Sequence, residues 1–308
     1  MSFIQNPHDK FFKETIGDPD VAQDFLTNYL PKEILQIIDL ERLSLEKDSF
    51  IDQELEEAYS DLLYKTRING KEGYLYFLLE HKSYQVPGLA LQLLKYMVKI
   101  WEQKAKENNT GGLPVIIPLL IYQGEQPWEG KPSFSSLFDE LEFMPDKINR
   151  YIPDYEYVIY DFSPDSGQEI KGSMILRIYL EMIRAVSLKD PHYFVQAFIS
   201  SLLILQSTKG IDRAFQFMDT LVRYLLSARS DIDYQEVKRE VQAKSLEGSE
   251  LLMTIAERLF NEGMEKGMEK GMEETANKIA REMLAEDIDI DTIIKCTGLS
   301  KEEIERLK

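Results

Sequence analysis

The dipeptide Asn69-Gly70 stands between two apolar runs, Leu62-Leu63-Tyr64 leading to Ile68 before it and Tyr74-Leu75-Tyr76-Phe77-Leu78-Leu79 after it. Asn-Gly is the strongest short hairpin signal a sequence offers, because both residues tolerate the positive φ of a type I′ turn. A two-residue turn here pairs Ile68 with Lys71 and fixes the register along both strands, so that Asp61 falls opposite Leu78. Strand alternation puts Leu78, Glu80 and Lys82 on one face. Asp61, Glu80 and Lys82 therefore project to the same side, with Asp61 and Glu80 on a cross-strand diagonal of ~7–8 Å. A bulge in Lys71-Glu72-Gly73 would break that parity.

Around this hairpin the periodicities predict an α/β core. Residues 8–40 read as helical, with Pro7 at a plausible helix start and Val21, Phe25 and Tyr29 at i+4 spacing. The uninterrupted run Tyr74–Leu79 is that of a strand buried on both faces. Leu89 to Ala105 is an amphipathic helix with Leu93, Tyr96 and Ile100 on one side. Val115–Tyr122 is a further buried strand, in which Pro118 implies interior strain or an edge role. Tyr157–Phe162 is the next strand, and from about Ile170 to Ala228 the pattern is helical. Helix, strands, helix, strands, then helices gives a mixed central sheet flanked by helices and followed by an α-helical region. The expected divisions are a domain over 1–165, a helical region over 166–235, a linker or packing helix over 236–275 and a small helical tail over 276–308.

The chemistry carried by the three polar residues follows from their place at the end of an apolar strand, where a sheet edge opens into a cleft. Mg²⁺ prefers one or two carboxylates together with waters and phosphate oxygens. A metal so held polarises a scissile phosphate and lowers the pKa of an attacking water, and a lysine beside it can stabilise the pentavalent charge. Asp61 and Glu80 are the candidate ligands, the carbonyl of His81 can add an oxygen, and Lys82 is the candidate cation. Charged residues at strand ends are also often simply solvated, and spacing by itself does not separate the two readings. Gln92, Lys95 and Lys99 lie at 3–4 spacing on the following helix, as a phosphate-contacting or an ordinary solvated face.

The formal charge of −18 over 308 residues opposes tight non-specific binding to a phosphate backbone. The acid is concentrated in residues 1–60 and from Tyr234 onward, while Asp61–Gly130 nearly balances. One cysteine, Cys296, excludes an intramolecular disulfide framework and a cysteine zinc site, and three histidines argue against a histidine-rich one. No run approaches the ~18–20 apolar residues of a membrane span. The first residues show neither the basic flank nor the apolar segment of a secretory signal. A cytoplasmic protein is expected.

In the tail, Gly263-Met264-Glu265-Lys266 repeats as Gly267-Met268-Glu269-Lys270 and Gly271-Met272-Glu273-Glu274. A four-residue period on a 3.6-residue helix draws a drifting methionine stripe beside a glycine stripe. At ~1 kcal/mol per interior glycine, such a helix needs a partner or frays. It reads either as a self-association helix, making the chain a homo-oligomer, or as a charged linker. Ala276–Ala285 and Asp291–Thr297 read as short helices, Gly298 as a C′ residue, and Ser300 with Glu303 as a capping box. The set suggests a helix-turn-helix-like tail, whose last helix is too acidic for a convincing major-groove reader. Asp287-Ile288-Asp289-Ile290-Asp291 imitates a calcium loop but has Thr292 and Gly298 where glycine and glutamate belong; it reads as a linker with an Asp N-cap.

Taken together, Asp61-x(18)-Glu80-x-Lys82 on a strand pair between an N-terminal helix and the helix at Leu89 resembles the PD-(D/E)xK nuclease core. More specifically, the chain resembles the Rpn family of recombination-promoting nucleases and YhgA-like transposases. The matching segments are His8-Asp9-Lys10-Phe11-Phe12-Lys13, Tyr59–Tyr64, Leu78–Ser83, Tyr96 with Trp101, Pro118–Gly124 and the Gly-Met-Glu-Lys repeat with its TGLS tail. The resemblance implies a restriction-endonuclease-like core and DNA endonuclease activity supported by Mg²⁺, with Ca²⁺ or Mn²⁺ as alternatives. It makes Asp61 and Glu80 the metal ligands and DNA the partner. Family members often carry glutamine where this chain has Lys82, and Ser60 replaces the proline that names the general motif. Glu14 then stands as the helix-borne acid usual in such cores. Asp9 either caps the first helix, the reading its position favours, or places a charge near the metal; Gln92 is a third auxiliary candidate.

Overall fold

The computed structural model describes residues 6–46, 60–80, 88–107, 112–138, 141–145, 147–207 and 212–307. The chain opens with α1 (Pro7–Ile16), α2 (Pro19–Tyr29) and the short α3 (Lys32–Leu35), so the helical stretch expected over 8–40 is broken at Gly17 and Pro31. Proline at the first turn suits both longer helices, since its missing N–H is one that a helix start cannot satisfy. Asp18 caps α2 by accepting from the Asp20 N–H at 2.9 Å.

Strands β1 (Ser44–Leu45), β2 (Ser60–Ile68), β3 (Lys71–Glu80), β4 (Val115–Tyr122) and β5 (Val158–Asp161) form a mixed sheet in the order β1-β2-β3-β4-β5 among the described residues. β1–β2 and β2–β3 are antiparallel; β3–β4 and β4–β5 are parallel. The β2–β3 turn has φ 49° at Asn69 and 77° at Gly70, the pair of positive values that a type I′ hairpin requires. The register runs without a bulge from Ile68↔Lys71 to Ser60↔Leu79, with Asp61 opposite Leu78. β3 is buried from Gly73 to Glu80, as its apolar run demands.

The two sheet faces divide the core. On one face Phe25 of α2 meets Phe77 at 5.9 Å and Tyr160 at 4.9 Å between ring centroids, and the Tyr64 hydroxyl donates to the Ile16 carbonyl at the end of α1. The other face carries Leu63, Tyr74, Tyr76, Leu78, Ile116, Leu120 and Tyr122. It packs against Leu89, Leu93, Tyr96, Met97 and Ile100 of α4 (Leu89–Glu107), the helical crossover that joins the parallel strands β3 and β4. Pro118 lies in an interior strand rather than at an edge. The β4–β5 ladder begins only at Leu119, so the proline precedes the stretch paired on both sides.

Helices α5 (Met174–Val186), α6 (Pro191–Ser207) and α7 (Asp212–Ala228) follow. Residues 166–235 pack into the same compact unit as the sheet, which spans Gln5–Ser249. The reason is aromatic: Phe11 of α1 lies 4.1 Å from the Tyr224 ring and 5.1 Å from the Tyr179 ring, so α1 is buried only with these helices in place. The helix α8 (Tyr234–Lys244) ends this region.

The second unit consists mainly of Glu250–Lys308. The helix α9 (Leu246–Ala285) passes through the glycine repeat without a break, and the boundary expected at 275/276 falls inside it. Ala280, Ile293 and Ile304, each fully buried, form the centre of a small core with α10 (Ile290–Thr297) and α11 (Lys301–Arg306). Asp289 caps α10 by accepting from the Thr292 N–H at 3.0 Å, Gly298 closes it with φ 74°, and Ser300 and Glu303 form the capping box of α11. No helix among the described residues is long and apolar enough to cross a membrane.

Candidate active site

The parallel strands β3 and β4 end at Glu80 and Tyr122, which are register partners, and the antiparallel β2 begins beside them at Ser60. Asp61, Glu80 and Tyr122 therefore meet at one edge of the sheet, on the face covered by α4. Glu80 is 2% exposed, an unusual burial for a carboxylate. Its backbone carbonyl accepts from the Gln123 N–H at 3.0 Å, which ties the ends of β3 and β4 together.

Asp61 accepts a hydrogen bond from the Tyr76 hydroxyl at 3.0 Å on Oδ2. Tyr76 is one step back along β3 on the same face, the diagonal partner that the hairpin register provides. The Tyr76 ring lies 5.3 Å from that of Tyr96 on α4. Burial pushes the Asp61 carboxyl up to about 6; the Tyr76 hydrogen bond and the Lys13 ammonium pull it back, and Asp9 adds to the rise. Burial and the neighbouring Asp61 together hold the Tyr76 phenol well above its ordinary range, so it remains a donor.

The auxiliary candidates divide. Asp9 is not a cap: Asn6 holds the N-cap position of α1 without a side-chain bond, and Asp9 sits in the first turn, ion-paired to Lys13 at 3.3 Å. Both charges act on Asp61, so α1 brings an acid and a base to the site. Glu14, more than a turn further along α1, faces α7 instead, accepting from Thr220 and pairing with Arg223 at 3.0 Å each. It is a packing residue, not the site's helix-borne acid. Gln92 precedes Tyr96 by one turn of α4, ~6 Å along the helix axis. With Tyr96 beside Tyr76, that step brings Gln92 level with Leu78 and Asp61, since two strand residues also span roughly 6.6 Å. Its amide nitrogen is buried with no hydrogen-bond partner among the described residues. His81 and Lys82 lie outside the described residues.

Sequence reading missed Tyr76, Lys13 and Asp161. The same parity argument that united Asp61 and Glu80 would have found Tyr76, two positions before Leu78. Asp161 ends β5 level with Tyr122, and its carboxylate accepts from the backbone N–H groups of Trp128 at 2.7 Å and Ser163 at 2.8 Å. It thus braces the loops that leave this edge. Gly124 belongs to the same brace, because a Cβ there would lie 1.8 Å from the Tyr122 hydroxyl.

Among the described residues no three His, Cys, Asp or Glu side chains form a ready-made cation cluster. The donor set does fit a hard divalent cation. A buried and a half-buried carboxylate on one cross-strand diagonal are the anionic oxygens that Mg²⁺ uses, the remaining positions belonging to water and phosphate. Tyr76 occupies one acceptor site of Asp61, and a carboxylate has about four.

Two family models match the chain. One, described as "Putative transposase, YhgA-like", covers residues 6–211. The other, "Rpn/YhgA-like nuclease family, C-terminal HTH domain", covers 273–308, the segment that holds the small core of the tail. "Recombination-promoting nuclease RpnA" of Escherichia coli (strain K12) is 30% identical over 300 residues, covering 97% of this chain and 96% of the relative. "Recombination-promoting nuclease RpnD" of Escherichia coli O157:H7 is 28% identical over 260 residues, 83% of this chain and 95% of the relative. "Inactive recombination-promoting nuclease-like protein RpnE" of Escherichia coli (strain K12) is 30% identical over 305 residues, 98% of each. No solved structure matches. The chain belongs to the Rpn/YhgA-like nuclease family.

Proposed function

We propose that this protein is a metal-dependent endonuclease that hydrolyses DNA phosphodiester bonds, with Asp61 and Glu80 as ligands of Mg²⁺, or of Ca²⁺ or Mn²⁺ in its place. The observation that carries the reading is the pairing of a buried Glu80 with a half-buried Asp61 at one sheet edge, Asp61 being held by a buried tyrosine. The bound cation would supply Lewis-acid polarisation of the phosphate and a more acidic water. Asp61 and Glu80 hold the anionic side of the site. The buried Gln92 amide is a donor suited to a phosphate oxygen or to the attacking water. Lys82 is assigned by the motif to the charge that develops on the phosphate, and the His81 carbonyl to a further ligand position.

The nuclease names of the relatives support this reading, and the helix-turn-helix match supports DNA as the partner. The repeat on α9 favours association with a second copy: Met264, Met268 and Met272 are 60–64% exposed in a row. The lone exposed Cys296 suits a reducing cytoplasm. A second reading, a DNA-associated or regulatory protein with a weak or inactive core, draws support from RpnE, which is named inactive and matches this chain as well as RpnA does. Incubating supercoiled plasmid with purified protein and Mg²⁺ separates the two. Nicking or linearisation that disappears in Asp61→Ala supports the nuclease. Absence of cleavage across Mg²⁺, Ca²⁺ and Mn²⁺ and across salt concentrations sinks it.

A further inference from the structure

We infer that Tyr76 is the positioning residue of this site: its hydroxyl, fixed by the ring of Tyr96, sets the orientation in which Asp61 meets the cation. The inference rests on the metal-site reading above and names the group that makes Asp61 a pre-formed ligand.

Four features lead to it. Tyr76 is 2% exposed in a strand whose neighbours Leu75, Phe77 and Leu78 are wholly apolar. Phenylalanine would pack there equally well, and a buried hydroxyl costs stability unless it is bonded. The bond to Asp61 is the compensation the structure provides. Second, the donor is rigid, since a tyrosine hydroxyl turns on two side-chain torsions and this ring is pinned between the sheet and Tyr96, at 5.3 Å and 33°. Third, the paired part of β1 reaches only Tyr64 and Lys65 of β2. Among the described residues no strand flanks Asp61 on that side, so the brace comes from β3. Fourth, a neutral phenol that donates its proton to Asp61 is a far poorer ligand for a hard cation than a carboxylate, while a carboxylate that accepts one hydrogen bond keeps acceptor capacity for a cation. Hydrogen bonds that orient metal-binding side chains are typically worth 10–100-fold in metal affinity or activity.

The test is Tyr76→Phe in the full-length protein, which removes one oxygen and keeps the ring. Mn²⁺ binding followed by electron paramagnetic resonance without DNA, at pH 8, should weaken about 10–100-fold. The kcat for plasmid nicking should fall by a similar factor, with KM for DNA within about twofold and far-ultraviolet circular dichroism unchanged. Tyr157→Phe, at a buried tyrosine of the same core that has no part in the site, serves as the second variant and should leave Mn²⁺ affinity within about threefold of the native value. Native Mn²⁺ affinity in Tyr76→Phe overturns the inference. Asp61→Asn, measured in parallel, separates the two levels. If it loses Mn²⁺ while Tyr76→Phe does not, the positioning role alone is wrong. If Asp61→Asn binds Mn²⁺ like the native chain, the metal-site reading falls and takes this inference with it.

Discussion

The sheet edge and the repeat on α9 are both built from acids beside apolar residues, and they use them in opposite ways. At the edge, Glu80 is 2% exposed and Asp61 is pushed up to about 6. On α9, Glu265, Glu269 and Glu273 stand in solvent beside Met264, Met268 and Met272. A carboxylate acquires unusual chemistry when tertiary packing takes it out of water, and a row of solvated ones is only a charged surface. Packing at the edge thus opposes ionisation of its carboxylates, whereas the repeat leaves its apolar stripe uncovered.

Substituting Asp61 should break the comparison most sharply. In Asp61→Asn the cleavage rate should drop at least about 1,000-fold, the cost of losing a ligand that helps to bind the metal and the developing charge. The same change should stabilise the fold at pH 7.5. The Asp61 pKa is raised from 3.8 to about 6, so its folded form favours the proton and ionisation opposes folding. At about 1.4 kcal/mol per pH unit the gain is on the order of 3 kcal/mol. It should be complete above about pH 7 and gone below about pH 3, where Asp61 is protonated in both states. Urea titrations of both proteins at the two pH values check this, and an unchanged difference between them would refute a buried, destabilising Asp61. Cleavage should rise as pH passes through about 6, because the ligand must be ionised to take a cation.

Core truncations test whether the two units rest on separate packing. Phe25→Ala removes the ring that meets Phe77, Tyr160 and Phe162 and should cost about 3–5 kcal/mol in urea unfolding. Ile304→Ala removes one of the three fully buried side chains of the tail core and should cost about 2–3 kcal/mol. The loss should appear in amide exchange at Ile293, leaving the main urea transition in place. A shift of that transition would show that the tail is not an independent unit.

Parity explains how much of this was legible beforehand. The hairpin needs only Asn69-Gly70 and an alternating run, so the 61–78 pairing and the shared face of Asp61 and Glu80 follow from local rules. The caps at Asp289, Gly298 and Ser300 are local in the same sense. Glu14 and Asp9 were not legible, because both are acids on one helix and their roles depend on which neighbour α1 turns toward. Glu14 meets Arg223, 209 residues away in sequence, a contact that no spacing rule anticipates. Tyr76 lay within reach of parity but looked like one more core aromatic until its hydroxyl was seen on Asp61.

The glycines of α9 sharpen the comparison next. A Cβ at Gly267 or Gly271 would meet nothing within 4 Å, so Gly267→Ala with Gly271→Ala should strengthen the helix by about 1 kcal/mol each. Circular dichroism should show the added helicity. If the glycine stripe seats a second copy closely, the sedimenting mass should fall at the same time. A doubly substituted chain with native mass would assign the repeat to a solvated helix.

The smallest effect belongs to the last cap. Ser300 Oγ accepts from the Glu303 N–H at 3.3 Å, while the Glu303 carboxylate accepts from the Ser300 N–H at 2.7 Å. Ser300 Oγ also donates to that carboxylate at 2.7 Å, so Ser300→Ala removes both bonds of the hydroxyl and leaves only the one from the Ser300 N–H, at a cost of about 1 kcal/mol. The bonds to Ser300 hold the Glu303 carboxyl below its ordinary range. Its contribution is therefore present at neutral pH and lost as pH falls through that lowered value, the reverse of Asp61. Amide exchange at Ile304, followed down the pH scale, should show the tail loosening under acid while the Asp61 edge tightens. Parallel behaviour of the two regions would mean that burial does not distinguish their carboxylates.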